Sequence, residues 1–415
     1  MADAHPGTVA SEPAGPARLS LGRDFRVLWA AQSTSLFGSS LMVIALPWEA
    51  FSLTRSVTST AFVSAALIAP YPVLGIVSGV VADRLDRRRT MVVADVARAV
   101  VSGGLTLAIG PHALRLWMLL AGTVLLGAFS TIFDAAYASF TPQVVHPDLL
   151  NSANGRMEAS NAASNVAGPQ AGGVLIAATG TVAAFGIDAL SYVVGAIGSF
   201  LVRYRKTAGK SATPSGVGGA VSMAREGLTY LIRSAILRRL TISAAALAIA
   251  NGALDGLLVP LLRVRLHYGE VASGAMFSAG AVGWFSASVL ATRTKSADQL
   301  PFSSLVAIFA AAAGSVGLGT GHNIPVIGAA LFLFQGGIFY FLITVITLRQ
   351  RIVPSNILGR VHALARSLAN VGTPLGAMAG GVLASRFSIG LTVTLMCGIP
   401  LVVSLSLSCA SAGGS

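Results

Sequence analysis

The sequence predicts an all-α polytopic membrane protein whose twelve transmembrane helices form two six-helix pseudo-repeats, and three observations carry that prediction. Apolar residues fill 54% of the 415 positions and charged residues only 10%, too little polar surface to clothe a soluble chain of this length. The mean hydropathy of +0.75 agrees. Apolar runs long enough to cross a hydrocarbon layer of about 30 Å follow one another along the chain. Finally, a short motif recurs 205 residues apart, at Asn165 and at Asn370.

The apolar segments lie at 25–53, 57–82, 90–110, 114–140, 157–179 and 181–203, then at 238–262, 270–293, 302–320, 324–348, 359–384 and 388–410. Residues 1–24, rich in Ala, Pro and Gly with no apolar stretch, are expected to be a disordered cytoplasmic tail rather than a signal peptide. Segments 1–6 make an N-terminal unit, 25–203, and segments 7–12 a C-terminal unit, 238–415. Between them, 204–237 begins Gly/Ser/Pro-rich and then turns amphipathic. Leu228, Leu231, Ile232 and Ile236 recur at helical spacing against Arg225, Glu226, Arg233, Arg238 and Arg239, the pattern of a helix lying on the cytoplasmic surface. Hinge and plain tether are both open as its role. The repeat supports the two units independently: Asn165-Val166-Ala167-Gly168-Pro169 is matched by Asn370-Val371-Gly372-Thr373-Pro374, and Gly155-Arg156 upstream by Gly359-Arg360. Parallel repeats of this kind place a substrate site between the units near the bilayer midplane.

The formal net charge is +13, yet the basic residues gather in short gaps between apolar runs, so nucleic acid is not the expected partner. About 22 Lys and Arg lie in gaps on the side of the N-terminus and about 5 on the other, which makes both termini cytoplasmic. Arg84, Arg87, Arg88 and Arg89 fill the gap after segment 2. Cys397 and Cys409 sit in or beside the last apolar run as small hydrophobes, so no disulfide framework exists.

Two motifs bear on mechanism. Gly79, three residues, Asp83-Arg84, then Arg87 and Arg88 occupy the gap after segment 2, where Gly79 allows close helix approach and Asp83 can cap a helix or pair with an arginine. A tight loop of positive-inside arginines is the plainer reading. Gly168-Pro169-Gln170-Ala171-Gly172-Gly173 in segment 5 gathers helix breakers that only close packing with neighbours can compensate. On these residues the chain resembles the major facilitator superfamily. Asp86 stands where that family's loop signature has Gly, and the equivalent loop at 293–301 keeps only Arg293, Lys295 and Asp298. The segment 5 run resembles the antiporter motif of drug exporters, with Ser164 in place of its first Gly, and implies proton-driven export. Asp95-Val-Ala-Arg98, Phe133-Asp134-Ala135-Ala136 and Ile187-Asp188-Ala189-Leu190-Ser191-Tyr192 resemble the branch holding the enterobactin exporter and macrolide-efflux proteins, well over segments 2–6 and weakly beyond.

Ionisable groups inside apolar segments are costly in lipid and therefore functional candidates. In the fold the resemblance implies, segments 1, 4, 7 and 10 line the cavity and 3, 6, 9 and 12 face outward. Glu49, Asp134 and Asp255 then become candidates for binding a proton or a cationic substrate, with Gln32, Asn251, Gln335 and Tyr340 as hydrogen-bonding candidates. Capping and helix-to-helix bonding are the structural alternatives for each. Asp95 with Arg98 reads as a structural i, i+3 ion pair, and Asp188 as a helix-holding residue.

The expected function is a secondary active transporter exporting a small amphipathic organic compound, a drug, natural product or siderophore, by proton antiport; an importer or facilitator of the same fold is the alternative. No Walker-type loop, histidine pair at metal-ligand spacing or Gly-x-Ser-x-Gly elbow occurs, so neither ATP hydrolysis, an ATPase subunit, a metal, a cofactor nor enzyme chemistry is expected. A monomer in a bacterial plasma membrane is expected. Asp83→Asn should impair efflux without preventing membrane insertion; efflux equal to that of the parent chain at matched membrane abundance would count against the switch role.

Overall fold

A computed structural model describes residues 21–72, 74, 86–202, 228–293 and 299–412. Among them every regular element is helical. In order these are α1 Arg23–Thr54, α2 Val57–Ile68, α3 Arg87–Ile109, α4 Leu116–Val144, α5 Leu150–Thr179 and α6 Thr181–Leu201. After residues 203–227 come α7 Ala235–Pro260, α8 Glu270–Ala291, α9 Gln299–Thr320, α10 Ile324–Ile352, α11 Ser355–Asn370, α12 Gly372–Arg386 and α13 Ile389–Ala412. Seven of the described helices are long and apolar enough to cross a membrane: α1, α3, α4, α6, α7 with the turn that follows it, α8 and α10. Shorter apolar helices run over Val57–Pro72, Leu305–Thr320 and Ile389–Val403.

Local chemistry sets the helix ends. Asp86 caps α3, its side chain accepting from the Arg89 N–H at 3.0 Å, and this donor-binding role suits the residue that replaces the usual glycine of the loop signature. Arg87 then reaches the Ser139 carbonyl of α4 at 3.0 Å, and Arg88 the Phe200 carbonyl of α6, with its guanidinium 5.0 Å from the Phe200 ring. Gly79, Asp83 and Arg84 lie outside the described residues. Gly180, at φ 73°, is the single residue between α5 and α6, a left-handed position that favours glycine. Ser234 caps α7 through the Leu237 N–H. Of the expected amphipathic stretch, 228–233 is helical with Leu231 buried and Leu228 and Ile232 exposed, Ser234 ends it, and Ile236, Arg238 and Arg239 belong to α7, while 203–227 lies outside the described residues.

Segment 11, expected as one helix over 359–384, is interrupted at Val371. Pro374 removes an N–H from the first turn of α12 and leaves the Asn370 carbonyl without that donor, while Val371 keeps helical dihedrals (φ −58°, ψ −30°), so the division is a local loss of hydrogen bonding within helical backbone. Pro169, its counterpart, sits inside an unbroken α5.

Helices meet through small residues. A Cβ on Gly168 would collide with the Ser40 side chain of α1, and one on Gly172 would come within 2.9 Å of Ile44 on the same helix. On the other flank of α5, a Cβ on Gly173 would fall 2.5 Å from the Glu270 carbonyl of α8, while one on Gly274 of α8 would lie equally close to the Pro169 carbonyl. The antiporter-like run is thus a two-sided seam, with α1 on one face and α8 on the other. Gly252 of α7 makes the same kind of approach to the Thr373 carbonyl of α12. Three described side-chain hydrogen bonds join α1–α6 to the later helices: Thr58 Oγ1 to the Gly381 carbonyl at 3.0 Å, Arg263 to Ser52 Oγ at 2.7 Å and Ser278 Oγ to the Val166 carbonyl at 2.6 Å. They run from mid-bundle to the end opposite the start of α1, called the far end below.

Gly252→Leu should lower stability by about 1–3 kcal/mol or more, because its side chain would enter occupied backbone. Gly104→Ala, where a Cβ meets nothing within 4 Å, should hold stability or raise it by up to about 1 kcal/mol. Melting of the detergent-solubilised chain checks both.

Candidate functional site

Burial of a charge inside a helical bundle requires a partner, and α3 supplies one on its own face. Asp95 is fully buried and ion-paired with Arg98 one turn on, itself 6% exposed. The Arg98 guanidinium lies 4.4 Å from the Phe133 ring of α4 and 4.4 Å from the Tyr192 ring of α6, a desolvated cation–π sandwich that ties three helices. Asp188 of α6 is also fully buried and accepts from Ser102 Oγ of α3 at 2.9 Å. Gln32 joins this interior: its amide donates to Ser199 Oγ of α6 at 3.3 Å. These contacts give the acids and Gln32 helix-joining roles.

Beside the network opens a cavity of about 590 Å³ in mid-bundle. Its apolar lining includes Met42 and Leu46 of α1, Leu67 of α2 and Leu126 of α4. The polar groups facing it are Ser39, Tyr71, Ser130, Asn165, Asp188 and Tyr192 from the first six helices, with Trp284 of α8, Asn370 and Thr373 from the later ones. Tyr71 donates to Asp134 Oδ2 of α4 at 3.2 Å, which places this carboxylate against the cavity wall. Asn165 and Trp284 also line an adjoining cavity of about 280 Å³ with Glu158 and Asn161, so polar lining continues toward the end where α1 begins. Asn165 Nδ2 donates to Asn161 Oδ1 at 3.1 Å. Trp284 packs on Phe339 of α10 with ring centroids 4.4 Å apart.

The other candidates lie elsewhere. Glu49 accepts from Thr181 Oγ1 near the far end. Close to it, Arg263 follows α7 in a π-helical turn, Leu261–Arg265, and stacks 4.3 Å from the Trp48 ring. Asp255 accepts from Asn251 Nδ2 at 2.9 Å along α7 itself. Gln335 packs against Gly280 of α8, and Tyr340, 7% exposed, borders a separate groove of about 410 Å³ among α8, α9 and α10. Segment 6, expected to face outward, contributes Asp188 and Tyr192 to the central cavity, because α6 packs along α1 and turns that edge inward. Tyr71, Asn165, Trp284 and Asn370 were not among the sequence candidates. The repeat held a signal for two of them, since Asn165 and Asn370 are its first residues.

A bundle of long apolar helices around a mid-bundle cavity, lined from both the early and the late helices, defines a polytopic membrane transporter. Comparison makes this specific. Residues 16–412 match the family model described as transmembrane secretion effector, and the chain belongs to that family of major facilitator transporters. YfiS, an uncharacterised MFS-type transporter of Bacillus subtilis, is 28% identical over 383 residues, covering 91% of this chain and 90% of its own. Macrolide efflux protein A of Streptococcus pyogenes is 26% identical over 182 residues, 44% of this chain and 45% of that one. Among solved structures, the nucleoside transporter NupG superposes with a TM-score of 0.75 over 94% of this chain and 99% of that one, at 11% identity, a likeness of fold.

Arg98→Met, which strands Asp95 in the interior, should cost about 3–5 kcal/mol, and the double variant Asp95→Asn/Arg98→Met distinctly less. Equal losses in melting experiments would show that charge compensation is not what holds α3 in place.

Proposed function

We propose that this transporter is a secondary active exporter of a small amphipathic organic compound, working by alternating access of two six-helix repeats, with twelve crossings in all, and coupled to proton entry. The observation that carries the reading is the central cavity: apolar walls with a few hydrogen-bonding groups, drawn from helices on both sides of residues 203–227. The name of the macrolide efflux relative supports export, as does the glycine seam of α5, which packs on α1 and on α8 across the same boundary. In this reading the units are residues 25–203 and 238–415, and the tail, linker and both termini lie on the cytoplasmic side of a bacterial plasma membrane. The chain works as a monomer without an ATPase subunit.

Among the described residues, hydrogen bonds between the units run from mid-bundle to the far end, whereas Asp134 and Arg366 are exposed toward the other end. The arrangement fits a state open to the cytoplasm. Substrate would then enter past Glu158 and Asn161 and settle between Asn165 and Asn370. Asp134, hydrogen-bonded to the cavity-lining Tyr71, is the carboxylate best placed to exchange a proton with the cavity. Asp255 and Glu49 have their own partners and serve packing and the far-end closure.

In everted vesicles, substrate accumulation should collapse on adding a protonophore. Asp134→Asn should cut proton-driven accumulation several-fold while leaving substrate binding measurable, and Glu49→Gln should retain most of it. Accumulation indifferent to the protonophore would overturn the coupling, and undiminished transport by Asp134→Asn would remove that residue from it.

A further inference from the structure

The seam between α5 and α8 is closed along part of its length and open along the rest. The two helices run antiparallel: Gly173 lies against Glu270 and Gly274, and Ser278 Oγ donates to the Val166 carbonyl at 2.6 Å. Beyond that bond, toward the end where α1 begins, the helices part around the cavity of about 280 Å³. Each wall is one helical face. Glu158, Asn161 and Asn165 stand at i, i+3 and i+7 on α5. Opposite them Ala281, Trp284, Phe285 and Ser288 stand at i, i+3, i+4 and i+7 on α8, and Phe339 of α10 backs Trp284 with ring centroids 4.4 Å apart.

This lining discriminates by charge. The chain carries 28 Lys and Arg against 15 Asp and Glu, yet among the described residues no basic side chain lines this cavity or the central one, whereas Glu158 and Asp188 do. Arg156, two residues before Glu158 and so on the opposite side of α5, has its guanidinium 5.9 Å from the Trp29 ring of α1. Glu158 is exposed and makes no hydrogen bond or ion pair among the described residues, so no protein cation answers its charge. A carboxylate beside tryptophan and phenylalanine rings is the combination that holds an alkylated ammonium group, which is attracted to the ring quadrupole and needs few hydrogen bonds. An anion would meet like charge and the negative faces of the rings. The size agrees. About 280 Å³ is small for a whole drug-sized ligand and ample for one substituted ammonium group, and the adjoining central cavity of about 590 Å³, which shares Asn165 and Trp284, has room for an apolar body.

We propose that the cavity lined by Glu158, Trp284, Phe285 and Phe339 binds the ammonium group of an amphipathic organic cation whose apolar body lies in the central cavity. The inference rests on the transport reading above, in taking this space to hold cargo, and it names the class of that cargo. Glu158 and Trp284 become substrate-binding residues, and Asp134 keeps the proton.

The full chain in neutral detergent, with no gradient present, is tested by equilibrium dialysis against three probes of similar size. These are (4-phenylbutyl)trimethylammonium, its neutral isostere with carbon in place of nitrogen, and 6-phenylhexanoate. The cation should bind about tenfold tighter than the neutral isostere, and the anion most weakly. Glu158→Gln and Trp284→Leu should each remove most of the preference for the cation, and Trp284→Phe should keep part of it. Asp148→Asn, which removes an exposed carboxylate just before α5 that does not line the cavity, should leave the preference intact. Should Trp284→Leu fail to fold, Glu158→Gln, at an exposed and unpartnered side chain, carries the test. The site is refuted if the neutral probe binds as tightly as the cation, if none of the three binds, if the preference is undiminished in Glu158→Gln, or if it is lost as fully in Asp148→Asn. Equilibrium binding is blind to direction and coupling. Cation accumulation in everted vesicles that ignores a protonophore would therefore remove proton coupling and leave the site standing, whereas protonophore-sensitive accumulation of another compound without any cation preference would remove the site alone.

Discussion

Inside a bilayer, lipid tails are as apolar as the helices they surround, so no hydrophobic force drives helix against helix, and association rests on close van der Waals contact. In this protein that contact comes from glycine. Gly168 and Gly172 bring α5 onto α1, Gly173 and Gly274 bring α5 and α8 backbone to backbone, and Gly252 seats the α12 carbonyls against α7. Every polar feature of the bundle depends on these approaches, because they fix which edges of the helices face each other and which are left to enclose space.

The central cavity is one product of that geometry. Holding α5 tightly between α1 and α8 carries Asn165 toward Trp284, and Asn370 at the end of α11 and Thr373 in the first turn of α12 line the same space. The walls are mainly aliphatic and aromatic, and the polar groups are neutral amides and hydroxyls, with carboxylates at Asp188 and, through Tyr71, Asp134. Such a lining accepts an amphipathic molecule by area and sorts it by a few hydrogen bonds.

Charge is handled differently in the early and late helices. Arg98 meets its burial with Asp95 and two aromatic faces, a self-contained arrangement. Arg349, in the last turn of α10, lies in a stretch that from residue 299 onward holds no acidic residue. Arg263 shows another solution, stacked on Trp48 and Phe51 and bonded to Ser52, where its charge joins α7 to α1 at the far end.

The positions of most helices were legible from hydropathy, because lipid demands a continuous apolar run wherever a helix crosses: α1 at Arg23–Thr54 covers the run at 25–53, and α8 at Glu270–Ala291 the run at 270–293. Membership of the major facilitator transporters was legible too, from motifs whose glycines and charges stand at fixed spacing, and so was the Asp95–Arg98 pair, since both ends of an i, i+3 contact lie on one helix. The break at Val371 was not, because Pro169 in the matching context leaves its helix whole. Nor were the walls of the cavity. Gln32 and Tyr340 have the right chemistry for such a site but turn toward α6 and toward a peripheral groove, while Tyr71, Asn165, Trp284 and Asn370 turn inward. Hydropathy and spacing are properties of one helix at a time; which of its edges faces the cavity is set by the rotation its neighbours impose, and that only the packed bundle decides.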